Sequence, residues 1–155
     1  MELPHTRSCF VCGSQNPHGL KMRFHLEGEI VTARFRPAQE HIGFQNVVHG
    51  GIAATILDEI MVWACAAGTK HFAYCAELNI RYRHALEPGA EYTVQARLLE
   101  NKRNKFFVAA GEIYSCAGDK MTVGTGKYMP VPNSELQRLL SDWEGNPDWF
   151  NNFFP

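Results

Sequence analysis

Residues 48–68 read VHGGIAATILDEIMVWACAAG, and no other stretch constrains the fold as strongly. The run is apolar nearly all round, so a helix over about 50–67 has to be covered on most of its sides. Its length is also about that of a bilayer span. Asp58 and Glu59 stand side by side near its middle, however, and paired carboxylates at that depth are expensive in lipid. The run therefore reads as the core helix of a folded domain.

The flanking sequence supplies the cover. Residues 1–20 are punctuated by Pro4, Gly13, Asn16-Pro17 and Gly19 and read as loop. Strands are expected over 22–26 and 30–35, joined by a Glu27-Gly28-Glu29 turn, with 37–46 as an irregular connection. After the helix, alternation and turn residues predict strands over 75–84, 92–99, 106–115 and 120–129, arranged as a meander. The order is two strands, one long helix, then four strands, which is an α+β domain with an antiparallel sheet curled around the helix. Residues 1–132 form this domain with its N-terminal loop. Residues 133–155 form a tail: a short amphipathic helix over 134–143 capped by Ser134, then Trp149, Phe150, Phe153 and Phe154, expected to pack on the domain or on a neighbouring subunit.

Composition excludes several function classes. With 15 basic and 16 acidic residues the net charge is -1, so nothing points to nucleic acid. The opening MELPHTRSCF lacks a basic-then-apolar leader pattern, so the mature chain is expected to start near Met1. Five scattered cysteines (Cys9, Cys12, Cys65, Cys75 and Cys116) suit a reducing cytoplasm rather than a disulfide scaffold. Cys9 and Cys12 form a CxxC pair, but a structural zinc site needs four ligands. With no second pair, and with His18 unable to complete the set alone, they read as packing residues of the loop. No metal or cofactor is expected.

The two carboxylates have competing explanations. Either acid could be neutralised by Arg81 or Arg83 on the facing strand, or one could serve as a general base or nucleophile in a cleft. Neighbours on a helix point about 100° apart, so they do not share one site. The helix start is the second chemical feature. At His49-Gly50-Gly51 free backbone N–H groups point outward, and their dipole suits an oxyanion or thioester carbonyl. Asp58 lies eight residues beyond Gly50, roughly 12 Å along the axis, so the two cannot serve one substrate from one chain. Two antiparallel helices across a twofold axis would bring Gly50 of one chain to Asp58 of the other. His49 is likewise too far from Asp58 for a dyad, and is expected to hold the turn through a bond to backbone.

These residues carry a resemblance. VVHGGIAATILDEIMVWA, with His49, Gly50, Gly51 and Asp58 at the spacing H-G-G, six positions, D, resembles the signature of hotdog-fold acyl-CoA thioesterases of the PaaI-like group. CFVCGSQNPHGLKMRF and AELNIRYRHALEPG look like a bacterial branch of the same family, so the likeness runs from about Cys9 to Pro130. It implies a curved antiparallel sheet around one long central helix, and a homodimer that often doubles to a tetramer. Asp58 matches the family's catalytic carboxylate, and Gly50 matches the backbone donor that polarises the thioester carbonyl from the opposite subunit. Two positions depart from the pattern. Gly43 stands where some members have an asparagine, with Gln45 or Asn46 as candidates to compensate, and Cys75 stands where a Ser or Thr often positions water.

The expected function is hydrolysis of an acyl-CoA thioester by Asp58 and the Gly50 N–H, without cofactor or membrane partner. His49, Gly51, Gln45, Asn46, Glu59, Cys75, Arg81 and Arg103 are candidate substrate contacts, and Lys102 and Lys105 are further candidates for the CoA phosphates. Glu59 is expected to pair with a cation. The acyl pocket is expected from Ile60, Met61, Trp63, Phe72 and Tyr74. The alternative is a non-catalytic acyl-CoA binding module. A hotdog dehydratase ranks last, since no His-x-x-x-x-Pro-type loop precedes the helix.

Overall fold

A computed structural model describes residues 1–145 and Trp149. The apolar run forms one unbroken helix, α1 (Gly50–Thr69). His49 starts it as N-cap, and its Nδ1 accepts the Gly51 N–H at 2.8 Å. Lys70 ends it in the left-handed region at φ 61°. Although α1 is long and apolar enough to cross a membrane, Ile56, Leu57, Ile60, Met61 and Trp63 on it are buried against the sheet and the N-terminal loop.

The strands are β1 (His5–Thr6), β2 (Phe24–Glu27), β3 (Ile30–Phe35), β4 (Ile42–Phe44), β5 (Val47–Val48), β6 (Ala73–Tyr82), β7 (Tyr92–Asn101), β8 (Phe107–Ser115), β9 (Lys120–Pro130) and β10 (Trp143–Glu144). A six-stranded antiparallel sheet runs in the order β2-β3-β7-β8-β9-β6 and packs around α1. Period-2 alternation places Val31, Ala33, Val94, Ala109, Ile113 and Tyr128 inward, where they meet the helix. The inward face is thinned by glycine beneath it: a Cβ on Gly111 would stand 3.0 Å from Leu57. This one-helix, one-sheet α+β arrangement is the expected one.

Three local expectations are corrected. The four strands after the helix are not a simple meander, because β3 takes the free edge of β7 (Ile30 opposite Arg97 through Phe35 opposite Tyr92). β6 therefore crosses to the far side and pairs with β9. Residues 37–46 are not irregular throughout, since β4 and β5 close a small hairpin over the start of α1. In the tail, α2 (Asn133–Leu140) is preceded by Pro132 rather than capped by Ser134, and Trp143 falls beyond it on β10.

β10 pairs with β1, so the N-terminal loop and the C-terminal segment are stitched together. Ser8 N–H bonds to Asp142 at 3.1 Å and the Ser14 hydroxyl to Glu144 at 2.6 Å. Trp143 and Trp149 close edge-on against Trp63 of α1, with centroids 5.1 and 5.5 Å away. Phe150, Phe153 and Phe154 lie outside the described residues.

Candidate active site

Asp58 lies half-buried on α1. The hydroxyl of Tyr128 on β9 donates to its Oδ1 at 3.1 Å. Tyr128 is wholly buried, and burial, with the Asp58 carboxylate beside it, pushes its pKa up, so it remains a donor. The ring reaches the helix by lying back along its own strand over Gly126. A Cβ there would sit 2.5 Å from the ring, so only glycine leaves the space. Cys75 on β6 stands across the ladder from Tyr128. Burial first, then the negative charge of Asp58, push its thiol up to about 11, so it is no nucleophile near neutral pH.

The start of α1 faces a different space. A cleft of about 400 Å³ is lined by the β4–β5 hairpin, His49, Gly50, Ala53 and the chain from Tyr82 to Leu86. The Gly51 N–H is occupied by His49, whereas the Gly50 N–H meets no acceptor among the described residues. The Tyr82 hydroxyl donates to the Gly50 carbonyl at 3.0 Å and fixes this corner. On the cleft wall the buried Thr122 hydroxyl has no partner among the described residues. Gly43 backs onto the cap: a Cβ there would approach the His49 ring to 3.0 Å, so any larger residue at 43 would require His49 to shift.

The remaining candidates scatter. Gln45 and Asn46 form the exposed tip of the β4–β5 hairpin, with Asn46 left-handed at φ 60°. Arg81 is exposed on β6, Arg83 lines the cleft, and Arg103 and Lys105 are exposed on the β7–β8 turn. Lys102 pairs with Glu100. Ile60, Met61, Trp63 and Phe72 belong to the buried core, and Tyr74 is exposed, bonding Glu135 at 3.0 Å.

Glu59 corrects the expectation of an arginine partner. It faces the N-terminal loop, where its Oε1 accepts the Trp63 indole N–H at 3.2 Å and the Cys9 thiol at 3.6 Å. Burial, then Cys9, push its carboxyl up to about 8. The bond with Cys12 holds the Cys9 thiol down at about 5 against burial, and the same bond raises Cys12. Asp58 and Glu59 thus open onto different surroundings, as the 100° between adjacent helical residues requires.

Sequence reasoning missed Tyr128 and Thr122. A usable signal lay in VGTGKY: two glycines on the inward positions before an inward tyrosine leave a trough for its ring.

With this geometry the comparisons are informative. The family model described as Thioesterase superfamily matches residues 45–115, which hold α1 with Asp58 and strands β5 to β8. Over those residues the chain is similar to the thioesterase superfamily. Curated proteins give no match. A crystal structure of a thioesterase superfamily protein superposes with a TM-score of 0.74 at 22% identity, covering 79% of this chain and 63% of that one. The chain therefore spans less than two thirds of that relative. The PaaI protein from the phenylacetic acid degradation operon of E. coli gives 0.66 at 15% identity, over 73% of this chain and 81% of that one. The smu.793 protein of Streptococcus mutans, solved bound to acetyl CoA, gives 0.64 at 16%, over 70% and 88%. These likenesses establish the hotdog fold of the chain.

Proposed function

We propose that this chain hydrolyses an acyl-CoA thioester, with Asp58 and the Gly50 N–H as the acting groups. The observation that carries the reading is the carboxylate itself: a half-buried acid on the core helix with no basic partner among the described residues, oriented by the Tyr128 hydroxyl. Such a group suits a base that accepts a proton from water as the water oxygen attacks the thioester carbonyl. Charge then develops on the carbonyl oxygen, where an unoccupied helix-terminal N–H stabilises it. Collapse of the tetrahedral species breaks the C–S bond and releases CoA thiolate, which takes up the proton, and the free acid. The match to the superfamily and the acetyl-CoA-bound relative support a CoA thioester as substrate. The likeness to PaaI supports the PaaI-like branch.

Gly50 and Asp58 stand eight residues apart on one helix, and the cleft at Gly50 does not include Asp58. The reading therefore requires a second copy that presents its Gly50 to this Asp58. β6 is an edge strand of ten residues with one side unpaired by the sheet, which gives that copy a surface to join.

The test is hydrolysis across aliphatic and aromatic acyl-CoAs by wild type and Asp58→Asn. The expected result is turnover on at least one ester, falling by about 10²–10⁴-fold in the variant while dimerisation persists. Absence of turnover on every ester, with acyl-CoA binding equal in both proteins, would leave a binding module instead.

A further inference from the structure

The N-terminal loop closes on α1 at one point, away from Asp58. One ligand atom each from Cys9, Cys12 and Glu59 lies within 4.8 Å of the other two. Cys9 and Glu59 are 50 residues apart in the chain, yet the sulfur stands 3.6 Å from the carboxylate oxygen. Ligand atoms around a tetrahedral zinc, at its usual bond lengths to sulfur and oxygen, stand about 3.6 Å apart.

The surrounding donors suit the deprotonated forms of all three. The Val11 and Cys12 N–H groups both point at Cys9 Sγ, at 3.2 and 3.5 Å, and the Thr6 hydroxyl lies 3.8 Å from Cys12 Sγ. The Trp63 indole N–H holds Glu59 Oε1. Second-layer donors of this kind orient metal ligands and stabilise their charge. Among the described residues no lysine, arginine or histidine bonds to these three side chains; Arg23 reaches only the Cys12 carbonyl, at 2.8 Å, so three anions here would lack a direct counter-charge. A divalent cation supplies it. Two thiolates select a thiophilic ion over magnesium or calcium, and a carboxylate is also an ordinary zinc ligand.

We propose that Cys9, Cys12 and Glu59 bind one zinc ion that fastens the N-terminal loop to the central helix, with a solvent molecule as fourth ligand. The ion displaces the protons of the thiols and of any protonated carboxyl, and these pass to solvent. Because β1 ties the same loop to β10, and Trp63 beside the site carries Trp143 and Trp149, the metal also orders the C-terminal segment. Glu59, 50 residues from Cys9 in the chain, is the third ligand that spacing around the CxxC pair could not show, and solvent completes the four-coordinate shell. The site is independent of the hydrolytic reading.

The test is metal content of the full chain, purified reduced, loaded with zinc and dialysed against a weak chelator. A parallel sample carries cobalt(II). The expected result is one equivalent of zinc per chain and a thiolate-to-cobalt charge-transfer band with tetrahedral intensity. Cys9→Ser and Glu59→Gln should each lower affinity at least about 10-fold, the lower end of the loss seen even when only a ligand's supporting partner is removed, while Cys116→Ser keeps full loading. Zinc should raise the unfolding temperature of wild type and leave that of Glu59→Gln unchanged. Wild type that binds no metal and shows no cobalt–thiolate band overturns the proposal, as does a Cys9–Cys12 disulfide in the reduced preparation. Full loading of Glu59→Gln overturns it as well. The wild-type spectrum decides the matter even if a variant fails to fold.

Discussion

Tyr128 is the residue on which the geometry of Asp58 depends. Its hydroxyl is the described side-chain donor to that carboxylate, and it is held there by burial on every side. Tyr128→Phe should lower kcat about 10-fold with KM nearly unchanged, because the base loses orientation while substrate contacts persist. The stability cost should be about 1 kcal/mol, that of one hydrogen bond, read by urea denaturation. Gly126→Ala should act on kcat in the same direction, since its methyl displaces the ring. It should also cost more stability than Tyr128→Phe, by about 1–3 kcal/mol of overpacking. If Gly126→Ala keeps full activity, the tyrosine does not position the base. At this scale the sequence was half legible. Helical spacing set Asp58 and Glu59 on different faces, but Glu59 was assigned to the wrong partner. What covers the other flank of a helix comes from a loop 50 residues away, and no local pattern records that.

Elements were more legible than their pairings. Alternation marked β3 and β6, while turn residues bounded β7, β8 and β9. It could not show that β6 joins β9, since edge choice depends on which ladder β3 occupies. The outer face of the β7–β8–β9 ladder holds a testable charge cluster. Burial would raise the Glu112 pKa, but hydrogen bonds from Lys120, Tyr114 and Gln95 outweigh it and hold the carboxyl at about 2, below its ordinary 4.5. The folded pKa is the lower one, so Glu112 contributes stability fully above pH 4.5 and loses it as the pH falls toward about 2. Glu112→Gln should therefore destabilise the protein by about 1–2 kcal/mol at pH 7, allowing for partial exposure, and by little at pH 2 to 3. Equal urea midpoints for the two proteins at pH 7 would show that solvent screens the cluster away. At the start of α1, His49→Ala removes the acceptor for the Gly51 N–H and should cost about 1 kcal/mol, the usual value of an N-cap.

At the scale of the whole molecule, the proposed composite site makes a demand that single-chain chemistry does not. Gly50 occupies the first helical position, where proline is well tolerated because the missing N–H has no intrahelical acceptor. His49 before it is already extended, at φ -59° and ψ 131°, the conformation a following proline requires. Gly50→Pro therefore deletes the proposed oxyanion donor without breaking the helix, and its Cβ, 3.3 Å from the Tyr82 ring, requires only a small shift of that ring; the variant should be folded and inactive. Asp58→Asn should also be folded and inactive, for lack of the base. If each site takes its base from one chain and its donor from the other, a dimer of one Gly50→Pro chain with one Asp58→Asn chain contains one wild-type site and one doubly impaired site. Random mixing makes half the dimers mixed, so activity should return to about a quarter of wild type. Subunits exchanged through mild denaturation and refolding, then assayed against each variant refolded alone, give the comparison. Recovery means that hydrolysis belongs to the assembly rather than to the chain. Were the two groups to act from one helix, every mixed dimer would hold only broken sites, and mixing would restore nothing.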